Sequence, residues 1–247
     1  MTRIKLILTL VAVCLAQSAA AFQTNEERIA NYVSLLGSNN YDQQQKMLSR
    51  LQWSGLSDPA LYDVIEQRLL AHQQTDDRAL AGLMAHHARA LGYSGNEKYR
   101  PTLALVSEQA SDSKLRSHAK RALGDLSAFS GWWALLPGQP TPAPGQSIES
   151  ATYMQMLNTD NVFVQRLAAR AIFHERIADA GLLKRSAELI QEKYLDVGMD
   201  GETEDTIAWL CKAIGQNAAA QYRSFLADVA EKSPSRKVAK YARSYVQ

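Results

Sequence analysis

Along this chain apolar residues recur at steps of three and four. In "SDSKLRSHAKRALGDL" (111–126) Leu115, Ala119, Ala122, Leu123 and Leu126 draw one stripe, and Lys114, Arg116, Lys120 and Arg121 fall largely outside it. Tyr99, Leu103, Val106 and Ala110 repeat the pattern just upstream. No stretch alternates with the period of a strand. The stripes predict six helices at 25–36, 41–54, 58–72, 77–92, 97–110 and 112–127, and six counterparts after residue 147. Ser111 or Asp112 can cap the last of the first set. Asp58 and Ser233, each followed by a proline, place a capping side chain before a residue suited to a first helical turn.

The stripes also repeat at long range. Shifted by 123, residues 90–123 lie ungapped on 213–246 with ten identities in 34 positions, among them Gly92, Tyr99, Arg100, Leu103, Lys114 and Ala119. Ordinary residue frequencies give about two. Shifted by 121, Tyr32, Leu36, Asn40, Gln44, Asp58 and Leu61 meet Tyr153, Leu157, Asn161, Gln165, Asp179 and Leu182. The change of offset falls near "DVGMDGETED" (196–205), which reads as a lengthened loop. The pattern predicts a tandem of two similar halves, 22–128 and 147–247, with a linker at 129–146.

That linker contains "GWWALLPGQPTPAPGQS" (131–147), where two tryptophans and four of the seven prolines collect. Its proline part cannot continue a helix. Its apolar part has two readings: Trp132, Trp133, Leu135 and Leu136 dock at the junction, or the tryptophans stay partly exposed as an anchor for a partner.

The amino terminus changes the compartment. Arg3 and Lys5, an apolar run from Leu6 to Leu15, and small residues ending at Ala19, Ala20 and Ala21 form the pattern of a secretory signal peptide, residues 1–21. The run is too short for a transmembrane segment, and acylation at Cys14 is the alternative. The expectation is export, and a periplasmic location in a Gram-negative source. The leader holds two of the 27 basic residues and no acid, leaving a balance with the 25 acidic ones. A neutral chain does not predict a nucleic-acid partner. Cys211 is the only other thiol, so an internal disulfide is excluded in the processed chain.

"DSKLRSHAKRALGDL" resembles the second helix of a HEAT repeat, in particular the phycocyanobilin-lyase-like kind. It has an acidic cap (Asp112), an aliphatic-arginine pair (Leu115, Arg116), alanines spaced by three (Ala119, Ala122), and Leu123-Gly124. "DNVFVQRLAARAI" repeats it with Gln165 in place of the arginine. "SRKVAKYARSYV" departs further, with Ala239 at that position and Tyr245 where a small residue is usual. The resemblance implies an all-α solenoid of about six helix pairs that binds macromolecules along a concave face made by the second helices.

Catalytic chemistry is sparse by comparison. His86 and His87 are adjacent and diverge around a helix. "FHER" holds one His-Glu pair, His174 and Glu175, where HEAT-repeat di-iron hydroxylases use several. The acidic loop lacks EF-hand spacing, and Thr203, Glu204 and Asp205 suit the first turn of the next helix. Cys211 falls in a small-residue stripe as a buried thiol. No cofactor or metal is predicted. The remaining symmetrical feature is a pair of basic stripes, Lys114, Arg116, Lys120 and Arg121 echoed by Arg236, Lys237, Lys240 and Arg243. They read as solvated faces or as contacts for an acidic protein or envelope surface. The sequence thus predicts a non-catalytic, exported protein-binding scaffold, with an enzyme or enzyme accessory subunit carrying a dispersed site as the alternative.

Overall fold

The computed structural model describes residues 22–196 and 200–246. The signal-peptide and Cys14 readings lie outside these residues, as does part of the acidic loop. The fold is all-α, with no strand among the described residues. Eleven helices follow in chain order: α1 Asn25–Leu36, α2 Tyr41–Arg50, α3 Pro59–His72, α4 Arg78–Tyr93, α5 Arg100–Gln109, α6 Ser113–Trp133, α7 Ile148–Leu157, α8 Val162–Glu175, α9 Ala180–Lys193, α10 Gly201–Lys232 and α11 Arg236–Arg243. None of the described helices is long and apolar enough to cross a membrane.

Side-chain caps set most of the starts. Asn40, Asp58, Asp77 and Asp112 accept backbone N–H groups at the heads of α2, α3, α4 and α6. Asn161, Asp179, Asp200 and Ser235 do the same for α8, α9, α10 and α11, at the offsets of 121 and then 123 seen in the sequence. Such a cap contributes about 1 kcal/mol, so the recurrence places helix starts as well as residues in register.

Three boundaries differ from the sequence pattern. The second predicted helix stops at Arg50 and continues as a 3₁₀ turn, Leu51–Trp53, and the fifth begins as one, Glu97–Tyr99. The sixth runs on to Trp133, into the expected linker. Its stripe simply continues: Ala119, Ala122, Leu126, Phe129 and Trp133 keep the step of three and four and are all buried. Gly131 in an exposed turn costs about 1 kcal/mol against alanine, less than burying two aromatic rings returns. In the other direction α10 merges two expected helices across a break at Ala218 (φ −151°, ψ 41°). Asn217 donates to the carbonyls of Ala213, four residues back, and Ile172 on α8, the kind of side-chain bond that bends a helix.

Packing runs between helices one and two places apart. The pairs α1/α2, α3/α4, α5/α6, α7/α8, α9/α10 and α10/α11 touch, and so do α1/α3, α2/α4, α3/α5, α4/α6, α7/α9 and α8/α10. The helices α4 and α6 cross closely, where a Cβ on Gly92 would come within 2.9 Å of the Ala122 backbone. Gly215, 123 residues later, meets the ring of Tyr245, the counterpart of Ala122. A glycine on α10 therefore makes the room for the large residue that the sequence pattern did not expect.

The proline segment, residues 134–147, folds back along the body. Leu136 and Thr152 close on Gly55, which has φ 69° and no space for a side chain, and Ile148 N donates to Phe22 O at 2.9 Å. The seam around it is polar as well as apolar. Glu175 at the end of α8 accepts from Trp53 Nε1 (2.9 Å) and Tyr153 Oη (3.0 Å), while the buried Arg28 on α1 lies 3.5 Å from Glu149 on α7.

Candidate functional site

The helix α8 brings distant parts of the chain onto one surface. At its start Phe163 stacks on Trp132 (5.3 Å between rings), and near its end His174 stacks on Trp53 (5.2 Å). Between them Arg170 places its guanidinium over Trp53 (5.1 Å) on one side and Trp209 of α10 (5.5 Å) on the other. Lys212, one turn beyond Trp209, sits 3.5 Å from that ring's centre, 4.5 Å from Phe173 and 5.2 Å from Tyr241 of α11. Cation–π contact of this kind contributes about 0.5–2 kcal/mol, and it holds a charge in place without neutralising it.

Neutralisation is scarce here. Asp205 alone serves two cations, Arg166 (3.2 Å) and Lys237 (2.7 Å), and Asp125 serves Arg89 (2.6 Å). No ion pair among the described residues involves Arg170 or Lys212. The titrating groups feel the resulting field. Burial, then Arg170, lowers the Lys212 ammonium, and burial, then Arg166, lowers Arg170. Three histidines respond likewise. Burial and then Lys114 depress His86; burial, Arg89, Lys114, His86 and Arg121 depress His118; burial, Arg170, Lys212 and Arg50 depress His174. Every charged neighbour named for those imidazoles is a cation, which defines a groove of positive potential across α2, α4, α6, α8 and α10.

The groove takes in part of the basic stripes. Lys114 and Arg121 face it beside His118, and Lys237 enters through Asp205. Arg116 instead donates to the carbonyls of Ala110 and Ser111 at the end of α5, and Arg243 to Ala230 at the end of α10, so both close helix ends. Lys120 is exposed; Arg236 and Lys240 line a shallow depression between α10 and α11 with Arg243. Trp133 is buried and donates its indole N–H to Tyr93 O at 2.8 Å, which corrects the reading of it as an exposed anchor. Trp132 is half-buried between Phe129 and Phe163.

Pattern reading passed over Trp53, Arg89, Arg170, Trp209 and Lys212. One signal was available: at the offset of 123, Arg89 meets Lys212, His86 meets Trp209 and His118 meets Tyr241. A cation beside a flat ring is kept although no residue is identical.

Reactive side chains are otherwise accounted for. The His174–Glu175 pair is spent on Trp53 and Tyr153. Burial pushes the Cys211 thiol up to about 12, where it is no nucleophile. His87 is fully buried with Nδ1–H donating to Leu83 O (3.1 Å), and burial lowers it to about 4. Ser49 Oγ lies 3.3 Å from His86 Nδ1, but that imidazole faces Lys114 rather than a carboxylate that would make it a base. Asp200 caps α10, and Glu204 accepts from Ser235 Oγ, as expected for acids at a helix start. Among the described residues no three His, Cys, Asp or Glu side chains are grouped to hold a metal. No family model, no curated protein and no solved structure matches this chain.

Proposed function

We propose that this chain is an exported α-solenoid of six HEAT-like helix pairs in two similar halves, a non-catalytic scaffold whose groove binds an acidic segment of a protein partner. The recurring caps and the contacts between helices two places apart support the architecture, and the leader pattern supports export. The observation that carries the binding reading is the pair Arg170 and Lys212, held on aromatic rings with no ion-pair partner of their own among the described residues and with Asp205, already paired to Arg166 and Lys237, as the carboxylate they share. Charges fixed in this way cost little further ordering when an anionic partner arrives.

Titration of the purified chain with a glutamate- and aspartate-rich peptide tests it. Micromolar binding is expected, weakened about tenfold at high salt as the screening length falls from about 8 Å toward about 3 Å, and weakened by a similar factor in Arg170→Gln/Lys212→Gln. Equal affinity in that variant would overturn the reading. Hydrolytic or transfer activity lost with Ser49→Ala would favour the enzyme alternative.

A further inference from the structure

One cavity in the groove has the makings of a small-anion site. It measures about 250 Å³, and its walls include Ser49, Trp53, His86, Arg89, His118 and Arg170, drawn from α2 and the turn after it, α4, α6 and α8. Two polar atoms of these residues are buried with no hydrogen-bond partner, His118 Nδ1 and Arg170 Nε. A buried donor without an acceptor costs about 1–3 kcal/mol, so a ligand that supplies an acceptor relieves that cost.

The charges around the cavity are mostly positive. His118 on α6 faces Arg89 and His86 from α4, and Lys114 and Arg121 from its own helix; Arg170 closes the cavity from α8. The nearby carboxylate, Asp125, is held by Arg89. His86 faces Lys114 and contacts Ser49 of α2. We propose that this cavity is a proton-coupled binding site for an anionic group, a carboxylate or a sulfate- or phosphate-type oxyanion, held by Arg170 and His118.

The coupling follows from the geometry. A proton on either imidazole is repelled by the guanidinium and ammonium groups around it. An anion seated among them cancels that repulsion, and one imidazole then takes a proton from solvent as the anion enters. Binding therefore tightens as pH falls. The inference rests on the cationic groove described above and adds its ligand class and its regulation.

Sodium sulfate is a suitable probe, because its charge is constant across the range. Isothermal titration of the full chain at constant ionic strength, in two buffers of different ionisation enthalpy, reads affinity and proton uptake together. Affinity about tenfold tighter at about pH 5.5 than at about pH 7.5 is expected, with about half a proton taken up on average across that range. His118→Gln keeps a hydrogen-bond donor and should flatten the pH dependence. Arg170→Gln should weaken binding about tenfold at both pH values. Circular dichroism checks that each variant is folded, and His118→Gln alone suffices if Arg170→Gln is not. Succinate run in parallel separates carboxylate from oxyanion preference. Absent sulfate binding, pH-independent binding without proton uptake, or unchanged behaviour in His118→Gln would overturn the inference. Acidic peptide bound without sulfate sinks this site and leaves the proposed function standing; sulfate bound without peptide does the reverse.

Discussion

Two clusters 123 residues apart occupy matching positions and do different things with them. On α4 and α6 the set is His86, Arg89, Lys114 and His118; on α10 and α11 it is Trp209, Lys212, Lys237 and Tyr241. In the first the flat rings are imidazoles, so the charge of the surface depends on pH. In the second they are indole and phenol, and Lys212 lies on their faces as a fixed charge. The counterions differ as well. Asp205 bridges Arg166 and Lys237, whereas the matching position beside the first cluster is Gly82, leaving Lys114 without that carboxylate. One scaffold geometry therefore supports a titratable end and a permanent end of the same groove.

The comparison extends into the core, where the largest effects are expected. His87 is buried where the second cluster's helix has Leu210. Its folded-state pKa, about 4, lies below the ordinary 6.5, so the unfolded chain binds the proton more readily. The stability this neutral imidazole allows is intact above about pH 6.5 and is lost as pH falls toward 4, a loss of about 3 kcal/mol. Urea denaturation across that range should show it, and His87→Leu should remove most of the slope; an unchanged slope would mean that other groups govern acid sensitivity.

The two glycine crossings come next. A methyl at Gly92 collides with Ala122 backbone, which cannot yield without moving α6, while one at Gly215 meets the Tyr245 ring, which can swing aside. Gly92→Ala should cost about 2–3 kcal/mol and Gly215→Ala about 1, measured by chemical denaturation. A reversed order would remove the argument that Tyr245 is accommodated by the glycine opposite.

The smallest effect separates stability from binding. Lys212→Gln removes a cation–π contact but also relieves repulsion with Arg170, so unfolding should shift by less than about 1 kcal/mol. A much larger loss would mark Lys212 as a core support rather than a presented charge.

The helices were legible in the sequence because most are written twice, as an apolar stripe and as a capping side chain. Where those signals disagreed, packing decided. The pattern ended α6 at residue 127, yet Phe129 and Trp133 continue the same buried stripe and carry the helix on through Gly131. At Ala218 the repeat pattern placed a boundary between two helices, but not that they would stay joined as one bent helix; there Asn217 reaches a carbonyl of α8, a contact between residues 45 apart. The groove was half legible for the same reason. Stripes on one helix exposed Lys114, Arg121 and Lys237. Arg170, Trp53 and Trp209 each come singly from different helices, and only the fold brings the rings to either side of the guanidinium.

The four tryptophans offer the most direct test that this groove is the binding surface. Indole N–H resonances followed by nuclear magnetic resonance during titration with an acidic peptide should show Trp53 and Trp209 shifting together and saturating at one concentration. Trp133, buried against Tyr93, should stay fixed. Movement of Trp132 and Trp133 with Trp53 and Trp209 unchanged, or no movement of any of them at saturating peptide, would contradict the account.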